Sequence, residues 1–200
     1  MPNNYIEYAY LDKNATEIIQ NTMTYLHNKY SELYKWKTTE TPHITIAYGP
    51  EHITTESEIT TYDDEKINKL LPGFLELKTD LSDKKIFYKD VSYFNNPDFW
   101  VIKVEFQSDY LNLLRKNLRD NNKILDQRAH EFELRDGYEY RSDTYPWAHS
   151  TLIIIKKEVS EDMIQDIVKD AYIHLELPGI VGISSISLIS AVTDQIIKLW

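Results

Sequence analysis

Two stretches constrain this chain more than any others: Thr41-Pro42-His43-Ile44-Thr45-Ile46 and its partial echo Trp147-Ala148-His149-Ser150-Thr151-Leu152. Each is a His-x-Thr-apolar tetrad that opens a run with strand character, His43 to Tyr48 and His149 to Ile155. Successive side chains of a strand point to opposite faces, so residues two apart share one face. His43 therefore projects with Thr45, and His149 with Thr151. One such pair lies in each half of the chain, and a fold that accommodates both must offer them two equivalent strands.

The surrounding pattern supplies those strands. Tyr5 to Leu11 reads as a strand. Asn14 followed by Glu17 resembles a capping box, and Ala15, Ile18, Ile19, Met23, Leu26 and Tyr30 then recur at helical spacing, predicting a helix to about Tyr34. The first motif strand follows and stops at Gly49-Pro50. The polar, acidic run from Thr54 to Glu65 reads as a loop entering a short helix around Asp64 to Leu71, closed by Pro72-Gly73. Phe74 to Leu81 and Ile86 to Phe94 complete the first half as strands. Asn95-Asn96-Pro97-Asp98 is the expected turn between halves. Phe99 to Phe106 begins the second half as a strand, and Asp109 is placed to cap a helix carrying Leu113, Leu114 and Leu118. A charged connection covers Asn121 to Tyr145. After the second motif strand, Ser160 caps a helix with Met163, Ile164, Ile167, Val168 and Tyr172 inward. Strands over Gly182 to Ala191 and near Ile196 to Trp200 end the chain. Both halves thus read strand, helix, His-strand, helix, strand. The expectation is one two-lobed α+β domain over 1-200, with pseudo-symmetric halves 1-96 and 97-200, antiparallel sheets lining a central cleft and helices outside.

Composition narrows the chemistry. The 200 residues are 42% hydrophobic and 27% charged and include no cysteine, which excludes disulfides, thiolate metal sites and cysteine nucleophiles. A net charge of −10 disfavours a protein that tracks long nucleic acid, since that requires a dense basic surface. A small phosphorylated ligand needs only a few local donors. Met1-Pro2-Asn3-Asn4 has neither the basic start nor the apolar core of a secretory signal, and no apolar run approaches the ~20 residues that span a bilayer. A cytoplasmic protein without membrane attachment or an obligate protein partner is expected. The pattern holds no His-Glu-x-x-His pair, no clustered carboxylates, no Gly-rich phosphate loop and no Gly-x-Ser-x-Gly elbow, so neither a metal nor a cofactor is expected.

Two histidines presented from matching strands suit phosphodiester chemistry. An imidazole titrates near neutrality, so one ring can accept the proton of an attacking hydroxyl or water while the other protonates the leaving oxygen. Threonine hydroxyls on the same strand faces can donate to the non-bridging phosphate oxygens as charge develops. His43 and His149 are thus the candidate acid–base pair, and Thr45 and Thr151 the candidate phosphate donors.

With these residues the chain resembles the two-histidine (2H) phosphoesterases. Thr-Pro-His43-Ile-Thr45-Ile is close to that superfamily's first motif. His149-Ser-Thr151-Leu fits the second, although Trp147-Ala148 replaces the commoner proline. The resemblance implies a metal-independent phosphodiesterase acting on 2′,3′-cyclic phosphates, 2′-5′ linkages or cyclic nucleotides. One branch comprises viral enzymes that destroy cyclic oligonucleotide alarm signals, including phage anti-CBASS phosphodiesterases. On this resemblance the expected substrate is a cyclic di- or oligonucleotide immune signal, with an RNA 2′,3′-cyclic or 2′-5′ phosphodiester as the alternative and a non-catalytic nucleotide sponge as the second.

Further residues are placed by position to meet a ligand. Tyr10 ends the first strand, Tyr48 ends the first motif strand, Arg141 lies in the loop before the second motif, Trp147 precedes His149 and Trp200 closes the chain. Aromatic faces there can stack on bases, and an arginine can pair with a phosphate. Packing or solvation is the alternative role for each. The remaining histidines, His27, His52, His130 and His174, are expected at the surface.

Overall fold

The structure, a computed structural model, describes residues 5–36, 38, 41–48, 85–111, 147–190 and 196–198. In chain order they form β1 (Tyr5–Leu11), α1 (Lys13–Lys29), β2 (Tyr34–Trp36), β3 (His43–Tyr48), β4 (Lys85–Asn96), β5 (Phe99–Gln107), β6 (Trp147–Lys156), α2 (Glu161–His174), β7 (Ile180–Ser190) and β8 (Ile196–Lys198). The expected loop over 54–65, the helix over 64–71, the strand over 74–81 and the connection over 121–145 lie outside the described residues.

The strands form one antiparallel sheet in the order β2-β6-β5-β4-β7-β1-β3, with β8 also paired to β7. β7 joins the two sets. Its first residues, Ile180 to Gly182, pair with β4. Its remainder pairs with β1, from Leu11↔Ile183 to Tyr5↔Ser190. β4 and β5 form a long hairpin closed by the expected turn at Pro97-Asp98. The sheet curls until β3, the end of the ladder, has Cα atoms within 8 Å of β6, next to the opposite end. Register irregularities in β1, β4, β5 and β6 accompany this curvature, since an extra residue on one strand bends it and increases its twist.

Burial alternates as a half-covered sheet requires. Ala9, Leu11, Ile44, Ile46, Ile86, Val104, Phe106, Leu152, Val181 and Ile186 lie inside with Ala15, Ile19, Met23 and Leu26 of α1 and Ile164, Ile167 and Ala171 of α2. α1 packs on β6, β7 and β1, and α2 on β4 and β5. The opposite face of the sheet carries both motifs.

Local chemistry moved several boundaries. The cap of α1 is Asp12, whose Oδ1 accepts from the Ala15 amide at 2.9 Å, rather than Asn14. That helix ends at Lys29, because Tyr34 and Trp36 leave it to pair with Ile155 and Ile154 of β6. The short strand β2 has too little alternation to be read from sequence. Residues Asp109 to Leu111 begin a helix, capped by Ser108, whose Oγ accepts from the Leu111 amide at 3.2 Å. Ser160 caps α2 as expected, accepting from Met163. Met163 and Tyr172, however, are 41% and 58% exposed. The inward stripe of α2 is narrower than its apolar content, since Ile164, Ile167 and Ala171 already fill the contact. His27 is buried rather than exposed: its Nδ1 bonds the Met23 carbonyl at 2.7 Å and its Nε2 accepts from the Thr38 amide.

Candidate active site

His43 opens β3 at the point where Pro42 fixes the chain's entry. Ile44 and Ile46 are drawn into the core, and the period-two alternation turns His43 and Thr45 to the other face, where both are half-buried. The ring is oriented locally: His43 Nδ1 donates to the Thr41 carbonyl at 2.9 Å. A carbonyl can only accept, so the neutral ring carries its proton on Nδ1 and its lone pair on Nε2. Tyr10, directly opposite His43 in the β1–β3 ladder, sets its ring edge-on to the imidazole at 6.4 Å between centroids.

The second motif is built the same way in β6. Ala148, Ser150 and Leu152 go inward, and His149 and Thr151 lie half-buried on the other face. A shift of register between Ile102 and Lys103 leaves Leu152 unpaired, so that Lys103 faces Thr151 and Glu105 faces His149. Facing residues of an antiparallel pair project to the same side with Cβ atoms about 5 Å apart. Phe94 of β4 meets the His149 ring edge-on at 6.2 Å, the counterpart of Tyr10 beside His43.

Ladder partners place the two motifs on one face of the curled sheet. Ala9, Ile44 and Ile186 lie on the helix-covered side, so Tyr10, His43 and Ser185 lie on the other. Ile86, Val181, Val104 and Phe106 are likewise under the helices, leaving Glu105, His149 and Thr151 opposite them. β3 runs beside β6, with Cα atoms of the two strands within 8 Å, so the strands that carry the two His-x-Thr pairs adjoin on this face.

The electrostatics of this face centre on residues that sequence reasoning missed. Lys103 is 1% exposed in a central strand, and its Nζ lies 2.7 Å from Glu105 Oε1. Ser92 Oγ donates to the same oxygen at 2.7 Å. Burial works to raise the Glu105 carboxyl, but the hydrogen bonds from Lys103 and Ser92, with the charges of Lys103 and His149, hold it below the usual carboxylate range. Lys103 Nζ also stands 5.6 Å from the centroid of the Phe94 ring. In sequence Lys103 and Glu105 sit two apart at the polar positions of an alternating strand, the ordinary pattern of an uncovered face. What sets them apart is the burial of Lys103, which the alternation does not reveal.

The remaining expected ligand residues are less informative. Tyr48 ends β3 opposite Ile6, and Trp147 begins β6 opposite Gln107. Arg141 and Trp200 lie outside the described residues. Among the described residues, no group of three metal-ligating side chains converges, and no helix is long and apolar enough to cross a membrane.

Neither family models nor curated proteins gave a match to the chain. Among solved structures, that of Kluyveromyces marxianus Usb1 with uridine monophosphate is similar at a TM-score of 0.50 and 11% identity, covering 99% of this chain and 97% of Usb1. A second structure of Kluyveromyces marxianus Usb1 aligns at a TM-score of 0.46 and 9% identity over the same shares. A conserved protein of unknown function from Agrobacterium tumefaciens, ATU0111, aligns at 0.49 and 13% identity, covering 100% of this chain and 85% of its own. The fold is therefore the expected α+β one, a curled antiparallel sheet with helices packed on one face, similar to that of Usb1.

Proposed function

We propose that the chain is a metal-independent phosphodiesterase acting on small nucleotides, with His43 and His149 exchanging protons on opposite sides of one phosphate and Thr45 and Thr151 donating to its non-bridging oxygens. The observation that carries this reading is the meeting of β3 and β6. Two His-x-Thr strands from distant parts of the chain lie side by side with both motifs on the same face of the sheet. Two imidazoles supply both proton transfers that an in-line displacement needs, so no Lewis acid is required. The His43 tautomer, with its lone pair on Nε2, suits a ring that begins as a base.

Two substrate classes fit. The net charge of −10 favours a compact ligand over long RNA, and Tyr10 and Phe94 offer aromatic edges at both histidines. Both observations agree with a cyclic di- or oligonucleotide, the substrate class of the anti-CBASS branch. In that case a ribose 2′-hydroxyl gives its proton to one imidazole and attacks the adjacent phosphate. The P–O bond to the next nucleotide's 5′-oxygen breaks as the other imidazole protonates that oxygen, and water then opens the resulting 2′,3′-cyclic phosphate to a phosphomonoester. The structural likeness to Usb1, which was solved with uridine monophosphate, supports a ribonucleotide ligand and so keeps the alternative of an RNA 2′,3′-cyclic or 2′-5′ phosphodiester. The test is incubation in EDTA with cyclic di- and trinucleotides, 2′-5′ oligoadenylate and an RNA 2′,3′-cyclic phosphate, products being resolved by mass. Turnover abolished by both His43→Ala and His149→Ala is expected. Tight binding without turnover would identify a sponge, and strict metal dependence would sink the mechanism.

A further inference from the structure

The two halves of the site are not electrostatically equivalent. Beside His43, the neighbouring strands present Tyr10 and Ser185, both uncharged. Beside His149 stands a buried ion pair, with Glu105 facing His149 and Lys103 facing Thr151. A buried pair is poor evidence for stability, because apolar residues of similar volume usually serve a core at least as well. This one lies on the site face, not among the side chains under the helices. Ser92 fixes its carboxylate and Phe94 lies against both its ammonium and the His149 ring. In the ladder the glutamate is the direct partner of the histidine and the lysine that of the threonine.

We propose that Lys103 and Glu105 are positioning residues for the second motif: the carboxylate favours and aims the His149 imidazolium, and the ammonium places positive potential beneath Thr151. The first part is independent of the phosphodiesterase reading; the second rests on it, since Thr151 would there hold the phosphate. Among the described residues, the charged or titratable groups that this face sets around His149 are Glu105 and Lys103 on β5, Asp90 beyond them on β4 and His43 on β3. Glu105 is the anion directly opposite the ring. The effect should therefore be specific to His149 and absent at His43.

The experiment follows the six histidine rings by NMR as pH is varied, with His43→Gln and His149→Gln providing assignments. In Glu105→Gln the His149 midpoint should fall by about one pH unit, the shift expected on losing a nearby opposite charge. His43 should not move. Circular dichroism checks the fold of each variant. The double variant Lys103→Met/Glu105→Gln leaves no unpaired buried charge and should fold even where the single one does not. Its His149 midpoint should fall by less, because the nearer charge has been removed together with the farther one. An unmoved His149 midpoint, an equal shift at His43, or a double variant that cannot fold would each overturn the proposal.

Activity on a 2′,3′-cyclic phosphate is measured in parallel, and kcat should fall with KM nearly unchanged. A wild-type protein that cleaves nothing, yet shows the His149 shift, would remove the phosphodiesterase reading and leave the ion-pair assignment standing. Turnover with no shift would do the reverse.

Discussion

Replacing Asp12 should cost the fold two hydrogen bonds at once. Its Oδ1 caps α1 by accepting from the Ala15 amide at 2.9 Å, and its Oδ2 accepts from the Gly182 amide at 2.6 Å. Its own backbone amide donates to the Gly182 carbonyl at 2.8 Å. One carboxylate thus joins the start of the main helix to β7, the strand that connects both sets of the sheet. In Asp12→Ala the cap is worth about 1 kcal/mol, and the charged hydrogen bond to a partly buried amide about 1.5–3 kcal/mol. The two share a side chain and do not add fully, so about 2–4 kcal/mol is expected. For a chain of this length that corresponds to a fall in Tm of roughly 5–15 °C. Urea unfolding followed by circular dichroism and by tryptophan fluorescence measures it, coincident transitions being required for the comparison. A change below about 0.5 kcal/mol, the level of an ordinary surface substitution, would refute the reasoning. Gly182→Ala tests the same contact from the other side. An added Cβ would meet Asp12 Oδ2 at 3.3 Å, so that carboxylate must shift, and a smaller loss in the same direction should follow.

Four further outcomes are expected. Tyr88 has a buried hydroxyl with no hydrogen-bond partner among the described residues, so Tyr88→Phe should be neutral or stabilising by about 1 kcal/mol in urea unfolding. Burial pushes the Tyr88 and Tyr30 phenols up to about 12, with the hydrogen bond to Asp170 adding to the effect at Tyr30. A raised phenol gives stability that is complete below the ordinary value of 10 and lost as pH rises toward 12, so urea midpoints should fall across that window and fall less in Tyr88→Phe. At the acid end, burial works to raise the Asp170 carboxyl, but hydrogen bonds from Lys29 and Tyr30 hold it below its usual range. Its contribution is present above the unfolded value and lost as pH falls through the folded one, so Asp170→Asn should flatten acid unfolding. Tyr10→Ala removes the ring beside His43 and should lower kcat/KM up to about tenfold, the worth of an aromatic contact.

The order of strands and helices was legible wherever burial on one face writes a period into the chain. β1, β3, β5, β6 and both long helices follow from alternation or from helical spacing, because each buries one face in a common core. The motif pairs were legible for the same reason: Ile44 and Ile46 must go inward, so His43 and Thr45 must go outward. The cap of α1 was misassigned to Asn14 because the choice among Asp12, Asn14 and their neighbours depends on Gly182, 170 positions away. The three-residue β2 was invisible because its pairing with β6 is a long-range contact, not a local pattern.

What the sequence determined by itself was the pair of His-x-Thr strands and the face on which each presents its chemistry, since side-chain direction in a strand is set by residue spacing alone. Only the tertiary structure decided that β3 and β6 meet, because that depends on how far the whole sheet curls. It also decided that the halves differ, with Tyr10 beside His43 and the Lys103–Glu105 pair beside His149. Register across β5 and β6 sets that asymmetry, and a single unpaired residue, Leu152, is enough to determine which side chains of β5 His149 and Thr151 face.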